Sequence, residues 1–208
     1  MVLVSDQNLF ILVSDPATQI SHLFYNHRMD RYRITEGIGV YFITFTITAW
    51  LPIFVDERPI SILIDSFKHC IEYNDLQITA YVIMSNHLHA VLFDVNFDPE
   101  NLTKTLTGFR KYTGLRLCDY VDGHFSPSIA AILRTDISVD RDRQFWQPGW
   151  HAEGIFSQSF LQQKVDYIHM NPCRKGLVRS PQDWRYSSAA YWMDDKPVDI
   201  PVTSVFWE

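Results

Sequence analysis

The sequence predicts an α+β fold: one antiparallel sheet with helices packed on one face. Three observations predict it. Runs of β-branched and aromatic residues fill Val40–Trp50, Gln77–Met84 and His87–Phe93. Longer stretches with apolar residues at helical spacing separate them. Prolines and small polar residues punctuate the boundaries. The 208 residues, 47 % hydrophobic and 14 % aromatic, suit one domain, or one domain with an extension.

Residues 1–29 form a weakly patterned N-terminal extension. LVSD occurs at Leu3–Asp6 and again at Leu12–Asp15, and two small strands or a hairpin would suit it. This apolar start is broken by Asp6 and Asp15 and lacks a basic head, so it does not read as a signal peptide. In Val40–Trp50, Phe42, Thr44, Thr46 and Thr48 alternate with Tyr41, Ile43, Phe45 and Ile47, and Pro52 stops the strand. Pro59 opens a helix over Ile60–Asn74, with Leu63, Ile64, Phe67 and Ile71 on one face. Gln77–Met84 and His87–Phe93 form the next two strands, joined at Ser85-Asn86. Pro99 starts a helix over Glu100–Tyr120 that buries Leu102, Leu106, Phe109, Thr113 and Leu117. Asp122–Arg143 is polar and aperiodic, a long loop. Phe145–Phe156 is aromatic-rich, with a short strand near Glu153–Phe156. Ser157 or Ser159 caps a helix running to Met170, ended by Asn171-Pro172. Trp184–Trp192 is a compact aromatic tail, and residues 193–208 follow. The order β-α-β-β-α-(β)-α is close to the ferredoxin-like pattern.

The chemistry concentrates in Tyr81–Phe93, YVIMSNHLHAVLF. His87 and His89 are two apart on a strand, so both imidazoles leave one face while Leu88 enters the opposite layer. Their Cβ atoms are about 6.6 Å apart, from two strand steps, close enough to converge on one metal ion. The alternative is a pair of hydrogen-bonded, half-exposed histidines. A second polar cluster occupies Val165–Pro172, where Tyr167 and Asn171, four apart, share a helix face. A helical tyrosine is also a common core residue with its hydroxyl at the rim.

Composition sets limits. No run approaches the roughly 18 apolar residues of a membrane span. Cys70, Cys118 and Cys173 are isolated, which suits a reducing cytosol and argues against a disulfide framework or a cysteine zinc site. The net charge of −6 opposes nucleic-acid binding if taken as a sum. Basic residues nonetheless recur in clusters such as Arg31 and Arg33, Arg110 and Lys111, and Arg174 and Lys175, compatible with a one-sided basic groove.

Met84-Ser85-Asn86-His87-Leu88-His89 resembles the His-hydrophobe-His strand of the IS200/IS605-like single-tyrosine HUH transposases. Tyr167-Ile168-His169-Met170-Asn171-Pro172, followed by Gly176-Leu177-Val178, resembles the block that carries that family's nucleophile, in the branch associated with repetitive extragenic palindromes. Arg31, Arg33 and Gly37 before the first long strand, Phe145-Trp146-Gln147-Pro148, and Trp184-Arg185-Tyr186-Ser187-Ser188 also fit. The likeness spans residues 30–192. Ser85 stands where the family usually has proline, and the net acidity departs from a typical DNA-binding member.

The resemblance implies an HUH endonuclease architecture and a single-strand DNA endonuclease and strand transferase acting on single-stranded or hairpin DNA. Tyr167 would be the nucleophile, forming a covalent 5′-phosphotyrosine and a free 3′-OH. His87, His89 and Asn171 would hold a divalent metal, Mg²⁺ or Mn²⁺. Arg31, Arg33, Arg110, Lys111, Arg174 and Lys175 are the expected DNA contacts. Tyr112, beside Arg110 and Lys111, is the rival nucleophile. His169 faces away from Tyr167 and suits a structural hydrogen bond. His151, Glu153, Gln147 and Trp150 are supporting candidates. A homodimer, a cytoplasmic location and no membrane contact complete the expectation. A domesticated relative that binds DNA with little or no cleavage, and an unrelated small-molecule metal hydrolase, are the alternatives.

Overall fold

The structure is a computed structural model that describes residues 10–13, 34–134 and 142–207. Its elements in chain order are β1 (Phe10–Val13), β2 (Val40–Thr46), α1 (Glu57–Tyr73), β3 (Leu76–Ile83), β4 (His87–Asp94), α2 (Pro99–His124), α3 (Pro127–Ile132), β5 (His151–Ile155), α4 (Gln158–Arg174), α5 (Ala189–Asp194) and β6 (Ser204–Trp207). Strands β3, β4, β2 and β5 form a four-stranded antiparallel sheet in that order. The expected α+β class holds. The placement of helices on one face does not.

Two cores flank the sheet. On one face, Tyr41, Ile43 and Phe45 of β2 and Leu88, Ala90 and Leu92 of β4 pack against α1 and α2. There the Phe67 and Phe109 rings stack with centroids 4.2 Å apart. On the other, Val40 and Phe42 of β2 and Val91 and Phe93 of β4 pack against Leu161 and Ile168 of α4. Both faces of β2 and β4 are apolar through most of their length, so each needs a helical layer. A bulge between Ile78 and Ala80 interrupts the β3–β4 register. It lets Ile78 face the first core while Ala80 and Val82, further along, face the second.

Local signals explain the boundaries. Asp56 caps α1 by accepting from the Arg58 N–H, so that helix starts before Pro59. Asp98 caps α2 through the Glu100 and Asn101 N–H groups. Strand β2 ends at Thr46, earlier than expected. A 3₁₀ turn over Thr48–Trp50 follows, in which Ala49 and Trp50 both have positive φ, 54° and 56°. Within the expected loop Asp122–Arg143, α2 runs on to His124 and α3 spans Pro127–Ile132; residues 135–141 of it lie outside the described residues.

Two further expectations change. Helix α4, capped by Ser157, runs through Pro172 to Arg174. Proline there removes one backbone donor near the helix end, but Ile168 and Pro172 are buried, and packing outweighs the local preference. The N-terminal strand β1 pairs in parallel with β6, a long-range partner where the sequence suggested two small strands or a hairpin. Residues 1–9, with the first LVSD, lie outside the described residues. The outer edge of β3 is covered by the C-terminal segment: Ile83 donates to the Tyr186 carbonyl and Ser188 to that of Tyr81.

Candidate active site

The sheet register assembles the site. His89 of β4 pairs with Thr44 of β2, and Thr44 pairs on its other side with His151 of β5. One step along, Phe42 lies between Val91 and Glu153; one step the other way, Thr46 pairs with His87. Period-two alternation therefore presents His87, His89, Thr44, Phe42, His151 and Glu153 on the α4 face. Helix α4 crosses above. Lys164, Tyr167, Asn171 and Arg174 recur along it at helical spacing, forming one stripe. A cleft of about 660 Å³ opens between the layers, bordered by His89, His151, Glu153, Lys164, Tyr167 and Arg174.

The two imidazole rings have centroids 4.8 Å apart. Tyr167 sits edge-on to His89, centroids 5.2 Å apart, and edge-on to Phe42 at 5.9 Å. Phe42 itself stacks on His89 at 5.3 Å. Tyr167 is 38 % exposed, so the ring is held while the cleft keeps access to solvent. The Arg174 guanidinium lies over the Tyr167 ring at 5.5 Å.

Both histidines are oriented by a neighbour. His87 Nδ1 donates to Asn86 Oδ1 at 2.6 Å, which leaves Nε2 as its lone-pair atom. His89 Nδ1 is 2.7 Å from the Thr44 hydroxyl, which can accept in the same way. Burial, reinforced by Lys175, lowers the His87 pKa to about 4. Burial, reinforced by His87, His151 and Lys164, lowers that of His89 to about 3. Both are thus neutral near pH 7, the form that binds metal. Asn171 is buried, and its Oδ1 has no hydrogen-bond partner among the described residues. A buried carbonyl oxygen without a donor calls for an explanation such as an ion, and with the two neutral imidazoles of His87 and His89 it makes a mixed nitrogen and oxygen donor set compatible with a divalent cation. Among the described residues no group of three or more His, Cys, Asp or Glu could hold a metal, so an all-acidic or cysteine site is not offered there.

The other expected residues divide. Arg174 and Lys175 end α4 beside the site. Arg110 and Lys111 lie on α2, across the sheet, bordering a separate cleft of about 690 Å³ with Trp146 and Trp150. There the Arg110 guanidinium stands over the Phe45 ring and donates to the Gln147 carbonyl. Tyr112 is exposed on the same helix. A single basic face containing all six cations is therefore not formed, because α2 packs on the opposite layer; Arg31 and Arg33 lie outside the described residues. His169 is buried, with Nε2 2.9 Å from the Ser188 hydroxyl, the structural role expected. Burial pushes the Cys70 and Cys118 thiols up to about 11, which makes them poor nucleophiles.

Sequence reasoning missed Asn86, Thr44, Lys164 and Trp50. Asn86 adjoins His87 and could have been noticed; Thr44 needs the strand register. Trp50 is 57 % exposed, edge-on to His87 at 6.2 Å, and its carbonyl accepts from Asn86 Nδ2. No helix among the described residues is long and apolar enough to cross a membrane.

No family model and no curated protein matches the chain. Among solved structures, a REP-associated tyrosine transposase bound to a REP hairpin aligns with 78 % of this chain and 85 % of that one, at 17 % identity and a TM-score of 0.51. A transposase-like protein of Deinococcus radiodurans R1 aligns with 62 % of this chain and 87 % of its own, at 18 % identity and a TM-score of 0.40. The α+β fold built here around His87, His89 and Tyr167 is thus one this chain shares with the REP-associated tyrosine transposase.

Proposed function

We propose that this chain is a metal-dependent single-strand DNA endonuclease and strand transferase of the single-tyrosine HUH class, acting on single-stranded or hairpin DNA. The observation that carries this reading is the contact of Tyr167 with His89, which joins the helix nucleophile to the histidine strand. The fold neighbour bound to a REP hairpin supports DNA as the partner.

The Tyr167 oxygen attacks phosphorus in line, the bond to the 3′ oxygen breaks, and the chain is left carrying a 5′-phosphotyrosine. One phosphodiester replaces another, so the step reverses without an external energy source. The phenolic proton leaves to solvent, and the departing 3′ oxygen takes one up. When bound, the metal would polarise a non-bridging phosphate oxygen and offset its negative charge. Asn86 and Thr44 orient the imidazoles, and Phe42 fixes the Tyr167 ring against His89. Arg174 and Lys175 supply positive charge that the acidic total conceals.

The test is to incubate the protein with hairpin oligonucleotides and Mn²⁺, then resolve the products on a denaturing gel. A covalent protein–DNA band that disappears in Tyr167→Phe is expected. DNA binding without any such band would favour the domesticated alternative.

A further inference from the structure

Lys164 is a positively charged group that the cleft encloses. Its ammonium pairs with Glu153 at 2.6 Å, and the two side chains are only 17 % and 13 % exposed. The same ammonium lies 4.7 Å from the Phe42 ring centroid and 4.9 Å from that of Phe160. Phe42 is also the ring on which Tyr167 and His89 rest. Lys164 precedes Tyr167 by three residues, on the same helical stripe. An enclosed ion pair contributes little net stability, since desolvation offsets most of the attraction. A well-packed apolar pair could fill this space as well, so the charge needs another reason.

We propose that Lys164 binds the scissile phosphate, with Glu153 holding its ammonium at the cleft wall. The proposal rests on the nuclease reading above and adds a catalytic residue to it. For Tyr167 to attack, the phosphorus must stand about 3–3.5 Å from its hydroxyl oxygen. That places the non-bridging oxygens within range of the groups bordering the tyrosine. Lysine is suited to this role because it is a compact point charge on a flexible four-carbon stem, able to follow charge as it builds on the phosphate. The aromatic rings of Phe42 and Phe160 favour the cation and limit its wandering. Glu153 keeps it from folding onto the DNA backbone elsewhere.

The experiment is a two-way comparison, run on the full chain with Mn²⁺. The proteins are wild type, Lys164→Arg, Lys164→Met, and Lys164→Met combined with Glu153→Gln. The double variant matters because Lys164→Met alone removes the cation paired with a half-buried carboxylate and could destabilise the protein. The DNAs carry either a normal phosphodiester or a methylphosphonate at the cleavage position, the latter lacking one anionic oxygen. Adduct formation with normal DNA should be about 100-fold slower in the double variant and partly restored in Lys164→Arg. The methylphosphonate should weaken binding by wild type at least several-fold more than by the double variant, an effect that a merely structural lysine would not produce. An equal methylphosphonate penalty in both proteins, or an adduct rate within about twofold of wild type, overturns the assignment while leaving the nuclease reading intact. If wild type forms no adduct with normal DNA, the nuclease reading fails and the assignment falls with it.

Discussion

Tyr167 of α4 stands edge-on to His89 of β4, with ring centroids 5.2 Å apart. These residues are far apart in the chain, and only the crossing of α4 over the β2–β4 pair brings them together. The relationship makes the helix and the histidine strand one site, so a change in either should be felt by the other.

The metal should depend on both histidines. Calorimetric titration of Mn²⁺ should show binding to wild type and none to the His87→Ala/His89→Ala variant. Thr44→Val removes the hydroxyl 2.7 Å from His89 Nδ1 but keeps the β-branched shape. It should weaken metal binding by about 10–100-fold. Unchanged affinity in the double alanine variant would mean that the ion binds elsewhere.

Asn171 gives a sharper contrast. Its Oδ1 is buried without a donor, so in the metal-free fold this oxygen costs stability rather than adding to it. Asn171→Leu, similar in volume, should leave the metal-free protein at least as stable as wild type while reducing Mn²⁺ affinity. A large loss of stability with metal affinity intact would make Asn171 structural instead.

Stability of the metal-free protein should fall in mild acid. Burial holds His87 at about 4 and His89 at about 3, and His169 at about 4 through burial as well. An unfolded histidine titrates at about 6.5. Between these values the unfolded chain binds more protons, so this contribution is complete above about pH 6.5 and is lost as pH drops toward 4. Thermal melts should therefore show a clearly lower midpoint at pH 5 than at pH 7. Metal affinity should decline over the same range, as protons compete for the same nitrogens. Equal melting midpoints at the two pH values would count against neutral, buried histidines.

Basic residues should act by layer. DNA affinity should fall steeply with salt, each neutralised phosphate contributing about −0.7 to the log–log slope for single strands. Arg174→Ala and Lys175→Ala should each flatten that slope by about one such contact. Lys111→Ala, on α2 across the sheet, should leave it unchanged for a short oligonucleotide confined to the α4 cleft. The reverse pattern would move the DNA path to the α2 cleft.

Much of this could be read from the chain, and what could not has physical reasons. Alternation in β2 and the apolar run of β4 exposed the strands, and His-x-His with Tyr-x₃-Asn pointed to the residues that the fold brings together at α4, because these patterns are local. Thr44 and Lys164 carry no local signal; their roles arise from strand register and from one helix crossing above the sheet. Pro172 misled in the opposite direction. The residue before proline disfavours helix locally, yet burial of Ile168 and Pro172 holds α4 through that point. Arg110 and Lys111 looked like partners of Arg174 in sequence, but α2 packs its Leu106 and Phe109 on the other core. That folds them away from Tyr167.

The central claim is that Tyr167 is the nucleophile, and the most direct measurement is mass spectrometric mapping of the protein–DNA adduct. Protein incubated with hairpin DNA and Mn²⁺ would be digested with nuclease and protease, and the residue bearing the residual 5′-phosphonucleotide sequenced. The expected result is a single modified peptide containing Val165–Asn171, modified at Tyr167 and absent when either His87 or His89 is replaced by alanine. Modification at Tyr112, or a DNA-cleaving wild-type protein with no modified tyrosine, would contradict it.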